Sequence, residues 1–198
     1  FEKCTMNSNS ANREYYSLGV SENSDYGGVL YTDSTSTVTI VNSSFRHNTG
    51  YKGGSIYIQG NSLPSHLSLK IINSTFLGNE ARINGGAISV EKGSVTIQNS
   101  IFSNNQARDG DGGGIYINGA YFGHTSILNN TISDNGNHGL YWNSYNENQY
   151  TLTLVNNSIT NNTGAGISIN NGGNYNSIKY NNSWNNSNGN YSGSLATG

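Results

Sequence analysis

Apolar residues in this chain come in short bursts that alternate with polar ones, and the bursts recur along its length. Val38-Thr39-Ile40, Leu69-Lys70-Ile71, Val95-Thr96-Ile97 and Leu152-Thr153-Leu154 each place aliphatic side chains two residues apart, the period of a strand with one buried face. A second burst centres on one large apolar residue: Phe45, Phe76, Phe102, Ile132, Ile159 and Trp184, with Met6 as a degenerate earlier copy. A third follows a glycine turn, as in Gly53-Gly54-Ser55-Ile56-Tyr57-Ile58, Gly85-Gly86-Ala87-Ile88-Ser89-Val90 and Gly112-Gly113-Gly114-Ile115-Tyr116-Ile117. From Phe45 onward the large position returns after 31, 26, 30, 27 and 25 residues, which describes a fixed rung joined by loops of variable length. No window sustains helical periodicity, and glycine returns in every unit.

One such unit cannot bury its own apolar face, but stacked units make every strand a member of a parallel sheet. The expected fold is therefore all-β: a right-handed parallel β-helix of about seven coils with three short strands per coil, forming a single domain over residues 1–198. Composition agrees. The chain has 35 Asn and 26 Gly but one Pro, and only 10% of its residues are charged, so charge and proline do not hold it open. With 33% hydrophobic residues it must bury a narrow core and satisfy many amides internally. The sequence opens without a signal-peptide pattern and both ends read as repeat rather than as a cap, so the chain is expected to be a piece of a longer protein.

Asn42, Asn73, Asn99, Asn129, Asn156 and Asn181 open the second burst of successive units. Asn tolerates left-handed turns, and identical amides at strand spacing can bond along a column, so these six are expected to be a structural asparagine column. The Asn-x-Ser/Thr sequons that fall on it follow from the repeat. The glycine pairs read as bends.

The tetrads Gly53-Gly54-Ser55-Ile56 and Gly85-Gly86-Ala87-Ile88 alternate with Phe45-Arg46-His47-Asn48, Phe76-Leu77-Gly78-Asn79 and Phe102-Ser103-Asn104-Asn105. In this they resemble the Gly-Gly-Ala-Ile and Phe-x-x-Asn repeats of chlamydial polymorphic outer-membrane proteins, which are adhesive autotransporter passengers. The later coils, with Tyr180-Asn181-Asn182-Ser183-Trp184, resemble the final coils of large right-handed β-helix proteins that many bacteria secrete or display. The resemblance implies a β-helix and a bacterial extracellular or cell-surface setting.

Charge narrows the partners. A formal charge of -2 with no basic run gives no reason to expect nucleic acid, and no apolar stretch is long enough to insert this segment in a membrane. Cys4 is the single cysteine, expected as a small buried side chain. The rim after the glycine-led strand carries Tyr121, Phe122, Tyr145, Tyr150 and Tyr175, with Pro64 and several Asn, including Asn143, Asn146, Asn148 and Asn174. Rings beside amides suit a glycan or a surface-protein partner. Outward Tyr31, Tyr57, Tyr116 and Tyr141 form a stripe that reads first as a cross-strand ladder and second as a surface for lateral self-association.

The opposite rim holds Arg108, Asp109, Asp111, Asp134 and His138, the candidates for catalysis by a polysaccharide lyase or glycoside hydrolase: a cation and a base for elimination, or paired carboxyls for hydrolysis. Asp109 and Asp111 also sketch a weak calcium site; otherwise no cofactor or metal is indicated. The favoured expectation is a non-catalytic, adhesin-like surface module, with the polysaccharide enzyme as its alternative.

Overall fold

The computed structural model describes residues 1–10, 26–34, 37–60, 67–119, 123–144, 150–170 and 174–193. Every strand pairing is parallel. The first sheet stacks Thr37–Val41, Ser68–Ile72, Ser94–Gln98, Gly123–Leu128, Tyr150–Val155 and Asn174–Lys179. The second runs from Thr5–Asn7 through Ser44–Arg46, Thr75–Leu77, Ile101–Ser103, Thr131–Ser133 and Ser158–Thr160 to Asn182–Trp184. The third runs from Leu30–Ser34 through Ile56–Gly60, Ile88–Glu91, Ile115–Gly119, Leu140–Ser144 and Ile167–Asn170 to Tyr191–Gly193. Successive units lie one atop another, as the repeat requires. The seven expected coils become about five turns stacked on both sides, with a more exposed turn at each end. A fourth, two-residue strand also appears in three coils, at Thr49–Gly50, Glu80–Ala81 and Gln106–Ala107.

The core is a column of matched residues. Ile40, Ile71, Ile97, Ile127, Leu154 and Ile178 lie in register in the first sheet. In the second, Phe45, Phe76 and Phe102 stack with centroids 4.7 and 4.8 Å apart and planes within 5°, followed by Ile132 and Ile159. The ring spacing is the strand spacing, so each phenyl ring continues its neighbour's stack at no cost in backbone geometry. Each is fully buried, worth roughly 1.5–3 kcal/mol per ring relative to exposure.

Turns need more than apolar burial, because their N–H and C=O groups are hidden too. The expected column at Asn42, Asn73, Asn99, Asn129 and Asn156 supplies left-handed corners, with φ between 50° and 58°. These side chains are exposed, and one amide pair bonds along the column, Asn156 to Asn129. The stacked amides stand elsewhere. Asn48, Asn79, Asn105, Asn135 and Asn162, the last residues of the Phe-x-x-Asn type tetrads, are at most 1% exposed. Each donates from both backbone N and side-chain Nδ2 to the Oδ1 of the next, ending on Asn186, at 2.8–3.0 Å. Each Nδ2 also donates to a carbonyl of the coil before, such as Phe76 O for Asn105 and Phe102 O for Asn135.

A second ladder runs Cys4, Ser43, Ser74, Ser100, Asn130, Asn157, Asn181, each backbone N donating to the next side-chain oxygen. Asn181 therefore belongs to the ladder, not to the corner column, where Tyr180 stands with φ 59° and 78% exposure. After a bulge beside Leu152 the last coil pairs 24 residues on from the coil before, as in Leu154 with Ile178, whereas Asn181 lies 25 residues after Asn156. At the same offset Ser183, not Trp184, pairs with Ile159, and Trp184 is exposed. Cys4 is half-exposed because it lies in the first coil. The ladder residue is Ser where its coil carries Phe and Asn where the coil carries Ile, a swap that keeps the volume of the layer.

Gly53 shows why the third corner uses glycine. Its φ is 63°, and a Cβ there would lie 1.9 Å from Ile56 O; at Gly54 it would lie 2.1 Å from Gly86 O in the next coil.

Asn105→Ala would strand buried groups on three coils and is expected to lower stability by about 3 kcal/mol or more, whereas Asn99→Gly, at an exposed left-handed corner, should change it by less than about 1 kcal/mol. Urea denaturation of the two variants checks the contrast; equal losses would assign the amide column to the wrong residues.

Candidate functional site

The charged rim lies between the short fourth sheet and the third sheet, where the chain turns at residues 51–55, 82–87, 108–114 and 137–139. Its side chains bond across coils. Arg108 pairs with Glu80, Arg82 Nε lies 3.6 Å from Asp109 Oδ2, and His138 Nε2 lies 3.6 Å from Asp111 Oδ1. Asp111 N also donates to Asn84 Oδ1. Of the five candidates, only Asp111 and His138 are brought together as a pair. Asp134 stands on the corner after Thr131–Ser133, exposed with φ 57°, in the column of His47, Gly78, Asn104 and Asn161. Asp109 and Asp111 turn to different cationic partners. Among the described residues no group of three His, Cys, Asp or Glu side chains could hold a metal ion.

His138 bridges three coils. Its Nδ1 accepts a hydrogen bond from Ala165 N at 2.9 Å, its Nε2 faces Asp111 in the coil before, and its ring packs on Tyr141. Burial pushes its pKa below the usual 6.5, against the opposing pull of the Asp111 carboxylate. A nitrogen that accepts from a backbone N–H must carry a lone pair, so this arrangement requires the neutral ring.

On the other rim, Tyr121, Phe122, Tyr145, Pro64, Asn146 and Asn148 lie outside the described residues. Tyr175 pairs with Leu152 in the backbone register of the first sheet. Asn143 is buried and donates to Asn118 Oδ1. Tyr150 corrects the expectation of a surface ligand-binding ring: it is fully buried. Gly119 and Gly123 clear its place, since a Cβ on either would lie 2.3 or 2.8 Å from the ring. Its hydroxyl donates to Gly93 O at 2.7 Å and accepts from Thr125 Oγ1, which accepts in turn from Trp142 Nε1. Burial pushes the Tyr150 pKa up to about 12. Thr125 thus stands in an aliphatic column because two neighbours satisfy its hydroxyl.

The tyrosine stripe is in register, Tyr31 with Tyr57 and Tyr116 with Tyr141, and each pair stacks within 12°. It is not a continuous exposed strip: Tyr31 is 40% exposed, but Tyr57 is 1% and Tyr116 9%. Tyr57 is covered by a group that the repeat pattern did not single out as a site. Lys52 Nζ lies 5.5 Å from the Tyr57 ring centroid and 5.8 Å from that of Tyr26, and bonds Glu91 Oε1 at 2.7 Å.

A family model for the right-handed β-helix region matches residues 27–198. The chain belongs to that family. Comparison with curated proteins and with solved structures gave no match. A right-handed β-helix is a scaffold shared by many activities, so its function has to be read from the rims.

In this β-helix the His138 joint gives a signed pH effect. Above pH 6.5 both folded and unfolded chains carry a neutral ring; as the pH falls below 6.5, the unfolded chain takes the proton first, and stability declines until the lower folded pKa is passed. Between about pH 7.5 and pH 5, thermal unfolding of the native chain should lose more in Tm than that of His138→Gln. Parallel curves for the two proteins would show that the ring does not carry the effect.

Proposed function

We propose that this chain is a non-catalytic, adhesin-like module of an extracellular or bacterial cell-surface protein, which binds glycans or a partner surface through the loops that join the third sheet to the first. One observation carries the reading. The titratable groups that an enzyme would need are engaged in joining coils: Arg108 with Glu80, Asp109 with Arg82, and His138 with both Asp111 and Ala165 N. A lyase needs a free cation beside its base, and a hydrolase needs two carboxyls facing one gap; the pairings on this rim offer neither.

The loop edge favours recognition. The strands Ile56–Gly60, Ile115–Gly119, Leu140–Ser144 and Ile167–Asn170 all end on one side of the column, and the connections that follow are its variable-length segments. Rigid strands holding variable loops are the usual setting for binding. By sequence Tyr121, Phe122 and Tyr145 fall in those connections, and Asn118 and Asn170 stand near the ends of two of the strands that lead into them. The likeness of the Gly-Gly-Ala-Ile and Phe-x-x-Asn tetrads to adhesive chlamydial passengers supports the same direction. Lateral self-association through the tyrosines has less to work with, because Tyr57 and Tyr116 are covered.

The polysaccharide lyase or hydrolase reading retains one observation, the Asp111–His138 pair, in which the Asp111 side chain is 41% exposed. A glycan array read beside a panel of uronate and neutral polysaccharides separates the two. The expected outcome is binding without product, weakened about tenfold or more by Tyr121→Ala with Tyr145→Ala. Product formation lost in Asp111→Asn would replace the module by an enzyme, and binding unchanged in the tyrosine variants would remove the loop edge.

A further inference from the structure

The covering of Tyr57 has the makings of a site in its own right. Four tyrosines gather at the start of the column: Tyr26 lies 4.6 Å from Tyr57, 5.6 Å from Tyr31 and 6.0 Å from Tyr51, centroid to centroid. Beside this group lies an ammonium, that of Lys52, within cation–π reach of both the Tyr26 and Tyr57 rings and against the Glu91 carboxylate. Ring faces are negative and a carboxylate more so, and together they form the environment that stabilises an organic cation out of water. The lysine and glutamate side chains are 22% and 20% exposed, so the contact is largely withdrawn from solvent yet open on one side. The Tyr57 hydroxyl also meets Glu91, and burial together with that carboxylate holds the phenol in its neutral form.

Lys52 does not complete the site. Ser89 is the residue paired with Tyr57 on the next rung, and it points outward on the same strand as Glu91, two residues before it. It is fully buried, and its hydroxyl is the one buried side-chain oxygen or nitrogen among the described residues that has no hydrogen-bond partner. An unmet buried hydroxyl costs free energy that a partner would recover. The cage thus has two ring walls, an anion and an unused polar atom next to them. Its resident is a single alkylammonium that arrives on a flexible four-carbon stem from the coil of Tyr57, one before that of Ser89 and Glu91.

We propose that Tyr26, Tyr57, Glu91 and Ser89 form a binding site for an alkylammonium ligand, and that Lys52 is its built-in, displaceable occupant. The ligand chemistry is a cationic nitrogen on an aliphatic stem, supplied either by a quaternary ammonium headgroup or by a primary amine such as a partner's lysine. Lys52 acts as an intramolecular competitor whose effective concentration is on the order of millimolar or above, so the native chain binds free ammonium weakly. Truncating Lys52 unmasks the cage. This site is separate from the loop edge, and simple ammonium salts test it without any glycan.

The experiment titrates tetramethylammonium and butylammonium chloride, against sodium chloride at matched ionic strength, into the native chain, Lys52→Ala, Lys52→Met and Lys52→Ala with Glu91→Gln. Calorimetry and Tyr57 ring signals report binding, and circular dichroism verifies the fold. Lys52→Ala should bind at least one of the two cations about tenfold more tightly than the native chain, and adding Glu91→Gln should remove that gain. Lys52→Met, which fills the cage with an uncharged stem, should show no gain. Preference for tetramethylammonium identifies a quaternary headgroup as the natural source, and preference for butylammonium a primary amine. A folded Lys52→Ala protein that binds neither cation better than the native chain overturns the proposal, as does binding indifferent to Glu91→Gln. Should Lys52→Ala not fold, the Lys52 ammonium signal of the native chain decides: it must shift toward its solvent-exposed position as either probe saturates, and a signal unmoved by both probes overturns the proposal equally.

Discussion

The structure depends on satisfying the polar groups of its bends once they are buried between coils. A sheet satisfies its own backbone, but each coil turns several times, and every turn leaves N–H and C=O groups facing the coils above and below. The ladder Asn48, Asn79, Asn105, Asn135, Asn162 meets that need with one residue type. Its carbonyl oxygen takes two donors from the coil before, and its amide gives one proton forward along the column and one back to a main-chain carbonyl. Every amide points the same way, so the column is polarised and each bond supports the next. This accounts for a chain with so much Asn and so little charge: a neutral group that both donates and accepts can be stacked without limit, whereas stacked charges repel.

Much of this was legible in the sequence. The alternation of Val38-Thr39-Ile40 and its equivalents fixed which face of the first sheet points inward, and the Phe and Gly-Gly positions predicted the layers and bends that the structure shows. What escaped was which asparagine does what. A left-handed corner and a stacked amide both favour Asn, and Asn42 and Asn48 look alike on composition; only the direction of the side chain, outward at Asn42 and inward at Asn48, separates them. Trp184 and Asn181 were misplaced by one residue because the repeated Asn-Asn-Ser motif sets them 25 residues after Ile159 and Asn156, whereas the last strands pair at an offset of 24, a slip that shows in the sequence only as the displaced alternation at Ile178-Lys179-Tyr180.

The candidate site was less legible, for a physical reason. Burial of an aromatic ring depends on what its neighbours lack. Tyr150 reads as a loop aromatic until Gly119 and Gly123 are seen to leave the space it fills and Thr125 the hydroxyl it meets. Three signals in three coils have to be combined, and each alone has an ordinary explanation. Tyr57 is the converse case: its register makes it an outward residue, yet Lys52, Glu91 and Tyr26 close over it.

The same logic separates the two rims. On the charged rim, side chains reach one coil up or down and find partners, so a substitution there acts first on the joint between coils; His138, which ties Asp111 to Ala165 across two such joints, is the clearest case. On the loop edge the connections differ in length from coil to coil, and a column whose ladders already satisfy the bends can change those connections without disturbing its core. A scaffold so arranged spends the paired groups of its charged rim on joining coils and confines its differences in length to the loop edge, so the two rims can vary independently of each other and of the core.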